Sequence, residues 1–123
     1  MPQFPSTFPL WWIALTAAVA FAASLAVLLA MNRRDLLLPT RESALVALVV
    51  GLSVLAWRYT ANIPPLNDDS MPPFSPNDLL CPLVTYFFLG VYAAFRRAAD
   101  AERWERTRAL LAVVSFVVNV FVI

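Results

Sequence analysis

The sequence predicts an all-α integral membrane protein, a four-helix bundle of four transmembrane helices arranged as two helical hairpins. Three observations predict it. Hydrophobic residues make up 61% of the 123 and charged residues 14%, where a soluble domain carries roughly a quarter charged. So short a chain has too much surface for its volume to hide that excess inside a globule. The apolar residues are also gathered into four runs, and Arg is concentrated in alternate segments between them.

Crossing about 30 Å of hydrocarbon takes roughly 20 helical residues. The first span, 10–31, has only Thr16 and Ser24 as polar members and opens on Trp11 and Trp12, suited to a headgroup-level anchor. It reads as a retained helix rather than a leader. Met1 to Pro9 carries no charged side chain, and the run exceeds the roughly 7–15 apolar residues of a signal sequence. The second span, 43–61, has Arg58 as its only charged member, between Trp57 and Tyr59, and the trio reads as an interfacial belt with a snorkelling Arg.

The third span, 76–95, has a helix start in Ser75, Pro76 and Asp78: an N-cap, Pro at the first position and an acid reaching back. Pro82 falls in the first two turns and predicts a kink, because its ring opposes the carbonyl four residues back. The last apolar run, Ala109 to Ile123, is short for a crossing, so the fourth span is placed at 105–123 with Arg106 and Arg108 snorkelling. Arg96 to Arg108 has no Gly or Pro and favours helix, projecting the second hairpin beyond the bilayer. Asn62 to Asn77, by contrast, holds Pro64, Pro65, Pro72, Pro73 and Pro76, which predicts an extended outer loop over 62–75.

Eight of the nine Arg residues lie on one side of these spans: Arg33, Arg34 and Arg41 in the first hairpin, Arg96, Arg97, Arg103, Arg106 and Arg108 in the second. Asp68, Asp69 and Asp78 fall on the other side with both termini. The positive-inside rule then places both termini outside, in a multi-pass protein of a bacterial inner membrane. The same Arg side is suited to anionic lipid headgroups, cardiolipin among them. Glu102–Arg106 and Asp100–Arg103 are spaced to pair along a helix.

Small residues recur at every fourth position: Ala14, Ala18, Ala22, Ala26 and Ala30 in the first span, and Ser43, Ala47 and Gly51 in the second. Such spacing lets helix backbones approach closely in lipid. It admits two readings, joining of the first two helices or docking of a foreign one, and the first is preferred. Asn119, four residues after Ser115, is a costly polar group deep in a span. An interhelical hydrogen bond, or a place near the outer headgroups, is preferred over a substrate path. Cys81 reads as a small buried hydrophobe, and the three Asp residues as a solvated acidic turn and a helix cap.

Charge and chemistry narrow the function. A net charge of +1 gives no field for nucleic acid. The chain has no His and no Lys, which removes the commonest general base and imidazole ligation of haem or metal. No Gly-rich phosphate loop and no nucleophile beside a base is visible, so neither catalysis nor a cofactor is expected. Small four-span multidrug exporters resemble the chain in length alone, since they rely on a membrane-embedded acid. The sequence therefore predicts a non-catalytic accessory subunit that packs against other integral membrane subunits of a larger complex. Respiratory and photosynthetic electron-transfer complexes are the favoured setting, and a small homo-oligomeric transporter or channel is the alternative.

Overall fold

The computed structural model of the chain describes residues 8–32, 40–62, 76–95 and 101–122, with 32, 40 and 101 described in backbone only. Four helices form: α1 (Leu10–Asn32), α2 (Thr40–Thr60), α3 (Pro76–Phe95) and α4 (Ala101–Val122). α1, α2 and α3 are each long and apolar enough to cross a bilayer. α4 is long enough, but its first two turns hold Glu102, Arg103, Glu105, Arg106 and Arg108. α3 has the predicted limits, α2 begins three residues before its predicted start and α4 four before. α3 also continues through Pro82.

The helices pack in chain order around one core: α1 on α2, α2 on α3, α3 on α4, and α4 back on α1, with α2 and α4 also touching. Two ends can be distinguished. At the tail end, Trp12 Nε1 donates to the Val122 carbonyl (3.0 Å) and Arg58 meets Asp78. At the hairpin end, Tyr92 donates to Glu42 (3.0 Å) and packs against Trp104, the rings tilted by 36° with centroids 6.0 Å apart.

Polar side chains share the core with apolar ones, while many large apolar side chains face outward. Thr16, Ser24, Ser43, Ser53, Thr85, Ser115 and Asn119 are all buried, alongside Val46, Val50, Val54, Leu89 and Leu111. Outward, the helices show Leu15, Leu52, Leu83, Phe87, Val113 and Phe121. Lipid solvates apolar side chains without cost, whereas a hydroxyl must find its hydrogen bond inside the protein. Polarity thus decides which face of each helix turns inward.

The glycine at 51 lies at a close approach of two helices. A Cβ there would lie 3.1 Å from the Ala17 carbonyl oxygen and 3.2 Å from Phe21 Cβ, so α2 rests almost directly on the α1 backbone. Ser43, Ala47 and Gly51 are all buried. The small residues of α1 lie differently. Ala14, Ala18, Ala22, Ala26 and Ala30 are all exposed. The preferred reading, that this stripe joins α1 to α2, is overturned: α1 turns Ile13, Thr16, Ala17, Ala20, Ser24 and Leu28 inward instead. Thr16 and Ser24 are polar, and burying them points the every-fourth Ala face away from the core.

Candidate functional site

The polar groups concentrate in two places inside the helices. The first is a clasp at the tail end, where α2 finishes and α3 begins. Asn77 bridges the two, its Oδ1 accepting from Trp57 Nε1 (3.0 Å) and its Nδ2 donating to the Ala61 carbonyl (2.9 Å). Asn62 makes a reciprocal pair with the backbone of Phe8, accepting from its N–H and donating to its carbonyl, each at 2.9 Å. A residue just before α1 is thereby tied to one just after α2. The segment 63–75, with Asp68 and Asp69, lies outside the described residues.

Arg58 and Asp78 sit at the centre of the clasp, 1% and 4% exposed. Their Nη1 and Oδ1 are 3.4 Å apart, and the guanidinium carbon lies 5.5 Å from the centroid of the Phe8 ring. One expectation is corrected here. Arg58 does not snorkel outward between Trp57 and Tyr59 but is buried against Asp78, which lies in the first turn of α3. Each is a charge that burial would penalise heavily if alone, and the other neutralises it. Arg58 Nε has no hydrogen-bond partner among the described residues, so the contact is a single-atom one rather than a two-pronged fork.

The second place is a seam of hydroxyls deeper in the core. Ser53 of α2, Thr85 of α3 and Ser115 of α4 meet with no exposure to solvent. Ser53 Oγ lies 2.8 Å from Thr85 Oγ1, and Thr85 donates to Ser115 Oγ at 2.9 Å. Ser53 also reaches its own helix, at 2.7 Å from the Val50 carbonyl. Asn119 continues the seam along α4, its Nδ2 donating to the Ser115 carbonyl at 2.7 Å. This bond lies within α4; Asn119 also interacts across the helices with the Cys81 thiol of α3, although its Oδ1 forms no geometrically sound hydrogen bond among the described residues. Cys81, fully buried and unpaired with another Cys, lies beside this group.

Chemically, the seam is a set of neutral donors and acceptors that bond mainly to one another. A hydroxyl becomes a nucleophile only with a base beside it, and the contacts of Ser53, Thr85 and Ser115 given above are with other hydroxyls, an amide and a carbonyl. Among the described residues no three His, Cys, Asp or Glu side chains are grouped as metal ligands.

A third polar group lies on the α3–α4 side nearer the hairpin end. Arg108 stacks on the Tyr86 ring, 3.7 Å from its centroid, and its Nε donates to the Tyr86 carbonyl at 2.7 Å. Glu105 accepts from Arg108 (3.3 Å) and from the Tyr86 hydroxyl (2.9 Å). Gly90 leaves the space that the guanidinium occupies: a Cβ there would collide with Nη2 and lie 2.8 Å from Cζ. The expected Glu102–Arg106 pair does not form, and the pairing along this helix is between Glu105 and Arg108 instead. Asp100, and with it the Asp100–Arg103 pair, lies outside the described residues, as do Arg33, Arg34, Arg96, Arg97 and Ser75. Arg41 is exposed at the start of α2.

The structure thus brings Ser115 and Asn119 together with residues that the sequence reading did not single out. Ser53 and Thr85 carried a usable signal, as polar members well inside apolar runs. Asn62, Asn77 and Gly90 carried none, since their roles depend on which helix lies opposite. The features define a helical protein compatible with a membrane, polar within and apolar outside. No protein-family model, curated protein or solved structure matches the chain.

Proposed function

We propose that the chain is a non-catalytic subunit of a larger membrane assembly, crossing the bilayer four times and holding a neighbouring subunit against α1. The outward Ala face of α1 carries this reading. Ala14, Ala18, Ala22, Ala26 and Ala30 are exposed along about 24 Å of helix. A face of methyl groups is the surface on which a foreign helix approaches most closely in lipid, where packing drives association. The equivalent face of α2 is already used within the chain, at Gly51. The fourth crossing is supported by the outward Leu110, Val113, Val117 and Phe121 of α4, an apolar strip like that of the other helices. The Arg distribution supports an orientation with both termini outside the cell, in a bacterial inner membrane. Electron-transfer complexes are the proposed setting, because small cofactor-free subunits recur in them.

Substituting Ala18 and Ala22 together by Leu tests the reading, because both are exposed and neither supports the chain's own core. Extraction in mild detergent followed by a native gel is expected to show the wild-type chain migrating with much larger partners and the double variant migrating free. Migration of the wild-type chain alone, or as a small homo-oligomer, overturns the proposal and favours a transporter or channel.

A further inference from the structure

At the hairpin end, the last turn of α1 and the first turns of α4 leave a cleft of about 230 Å³ between them, lined by Met31, Arg103, Arg106, Thr107 and Leu110. Two properties of this cleft point to its occupant. The first is charge. α4 begins with Glu102, Arg103, Glu105, Arg106 and Arg108 in close succession. Toward α3, Arg108 is matched by Glu105 and Tyr86. Toward α1, Arg103 and Arg106 line the cleft, and Arg106 is exposed with no hydrogen bond or ion pair among the described residues. Both Arg residues also stand in the first two turns of α4, where the helix dipole already favours an anion and opposes a cation.

The second property is position. Met31 is the last residue of the apolar span of α1. The Glu42–Tyr92–Trp104 group, with the amphipathic rings that favour the headgroup level, lies at the same end. The cleft thus opens where hydrocarbon gives way to headgroups, with Met31 and Leu110 as its apolar lining and two guanidinium groups at its side. A free phosphate would match the Arg residues and leave that lining unused. An amphiphile matches both. The apolar groove of about 440 Å³ between α2 and α3, lined by Val49, Phe87, Phe88, Val91 and Tyr92, has no such cation.

We infer that this cleft binds an anionic phospholipid, with the phosphate held by Arg103 and Arg106 and the start of an acyl chain lying against Met31 and Leu110. The site requires α1 to cross a bilayer and does not require the chain to have protein partners.

The test uses the full chain purified in detergent and titrated with dioleoyl phosphatidylglycerol or dioleoyl phosphatidylcholine, with bound lipid counted by native mass spectrometry. The wild-type chain is expected to retain phosphatidylglycerol at concentrations where phosphatidylcholine has dissociated. Arg106→Gln is expected to weaken phosphatidylglycerol binding about fivefold, and Arg103→Gln with Arg106→Gln about 25-fold. Arg41→Gln, which removes an exposed Arg outside the cleft, is expected to leave it unchanged. Arg106 is exposed, so its single substitution carries the test even if the double variant does not fold. The inference is overturned if the wild-type chain shows no preference between the two lipids, or if Arg106→Gln binds as the wild type does. Displacement of phosphatidylglycerol by inorganic phosphate overturns it as well, by showing a site for the free anion.

Discussion

Replacing Asp78 by Leu should be one of the most damaging single changes in the chain, and replacing Arg58 along with it should undo most of the damage. Arg58 is 1% exposed and the side chain of its partner 6%. Without Asp78 the guanidinium is a buried charge with only the Phe8 ring against it among the described residues, a situation that costs about 3–5 kcal/mol. The pair is nonetheless a modest one when intact. It rests on one 3.4 Å contact, and Arg58 Nε finds no acceptor among the described residues, so its attraction barely offsets the desolvation of two ions. An Arg58→Met, Asp78→Leu double variant should therefore fall within about 1–2 kcal/mol of the native chain, or exceed it. Unfolding can be followed by helical circular dichroism while sodium dodecyl sulfate is titrated into dodecyl maltoside micelles. If Asp78→Leu costs less than about 1 kcal/mol, Arg58 has an escape route to water or headgroups and the buried ion pair is not a structural fact. If the double variant is as unstable as Asp78→Leu alone, the cost comes from packing around the introduced leucine and the electrostatic account fails.

Thr85→Val keeps the shape of the residue joining α2, α3 and α4 but removes its hydroxyl. The same titration should show a loss of about 1–2 kcal/mol, shared between the Ser53 and Ser115 bonds; a neutral result would mean that the two serines satisfy themselves within their own helices. Gly90→Ala should raise helix stability by about 1 kcal/mol when Arg108 is also replaced by Ala, following intrinsic propensity. In the native chain it should bring no gain, because the new Cβ displaces the guanidinium from Tyr86; equal gains in both backgrounds would refute that role for Gly90.

How far the sequence could be read depended on whether a feature belongs to one helix or to two. The limits of α1 and α3 follow from where an apolar run begins and ends, and a single segment contains that information. The inward face of α1 was also legible, but in Thr16 and Ser24 rather than in the regular Ala spacing. With Ala at positions 14, 17, 18, 20, 22, 23, 26 and 30, small residues occur on more than one face, and their periodicity does not choose between them. Polar groups do choose, since lipid gives them no hydrogen bonds. The Arg58–Asp78 pair was missed for a different reason. Each has a sensible local explanation, one as an interfacial cation and the other as a helix cap. Their pairing depends on α3 lying beside α2 in one particular register, which no local rule contains.

The hydrogen bonds also distinguish α1 from the other helices in a way that bears on its proposed role. α2, α3 and α4 are joined by side chain to side chain, through Ser53, Thr85 and Ser115 in the core, and α2 and α3 again through Trp57, Arg58, Asn77 and Asp78 at the tail end. α1 enters neither set. Its described polar links are at its start, where Phe8 meets Asn62 and Trp12 meets the Val122 carbonyl. Along its remaining length it is held by packing: Gly51 against Ala17 and Phe21, and Ala20 and Leu28 within the core. Ser24 shows the same division, a buried hydroxyl with no partner among the described residues. Packing without directional bonds constrains rotation of a helix about its axis less than a hydroxyl clasp does. Under the proposed function, a neighbouring helix seated on the Ala face would add a constraint on α1 that the hydrogen bonds among the described residues do not supply.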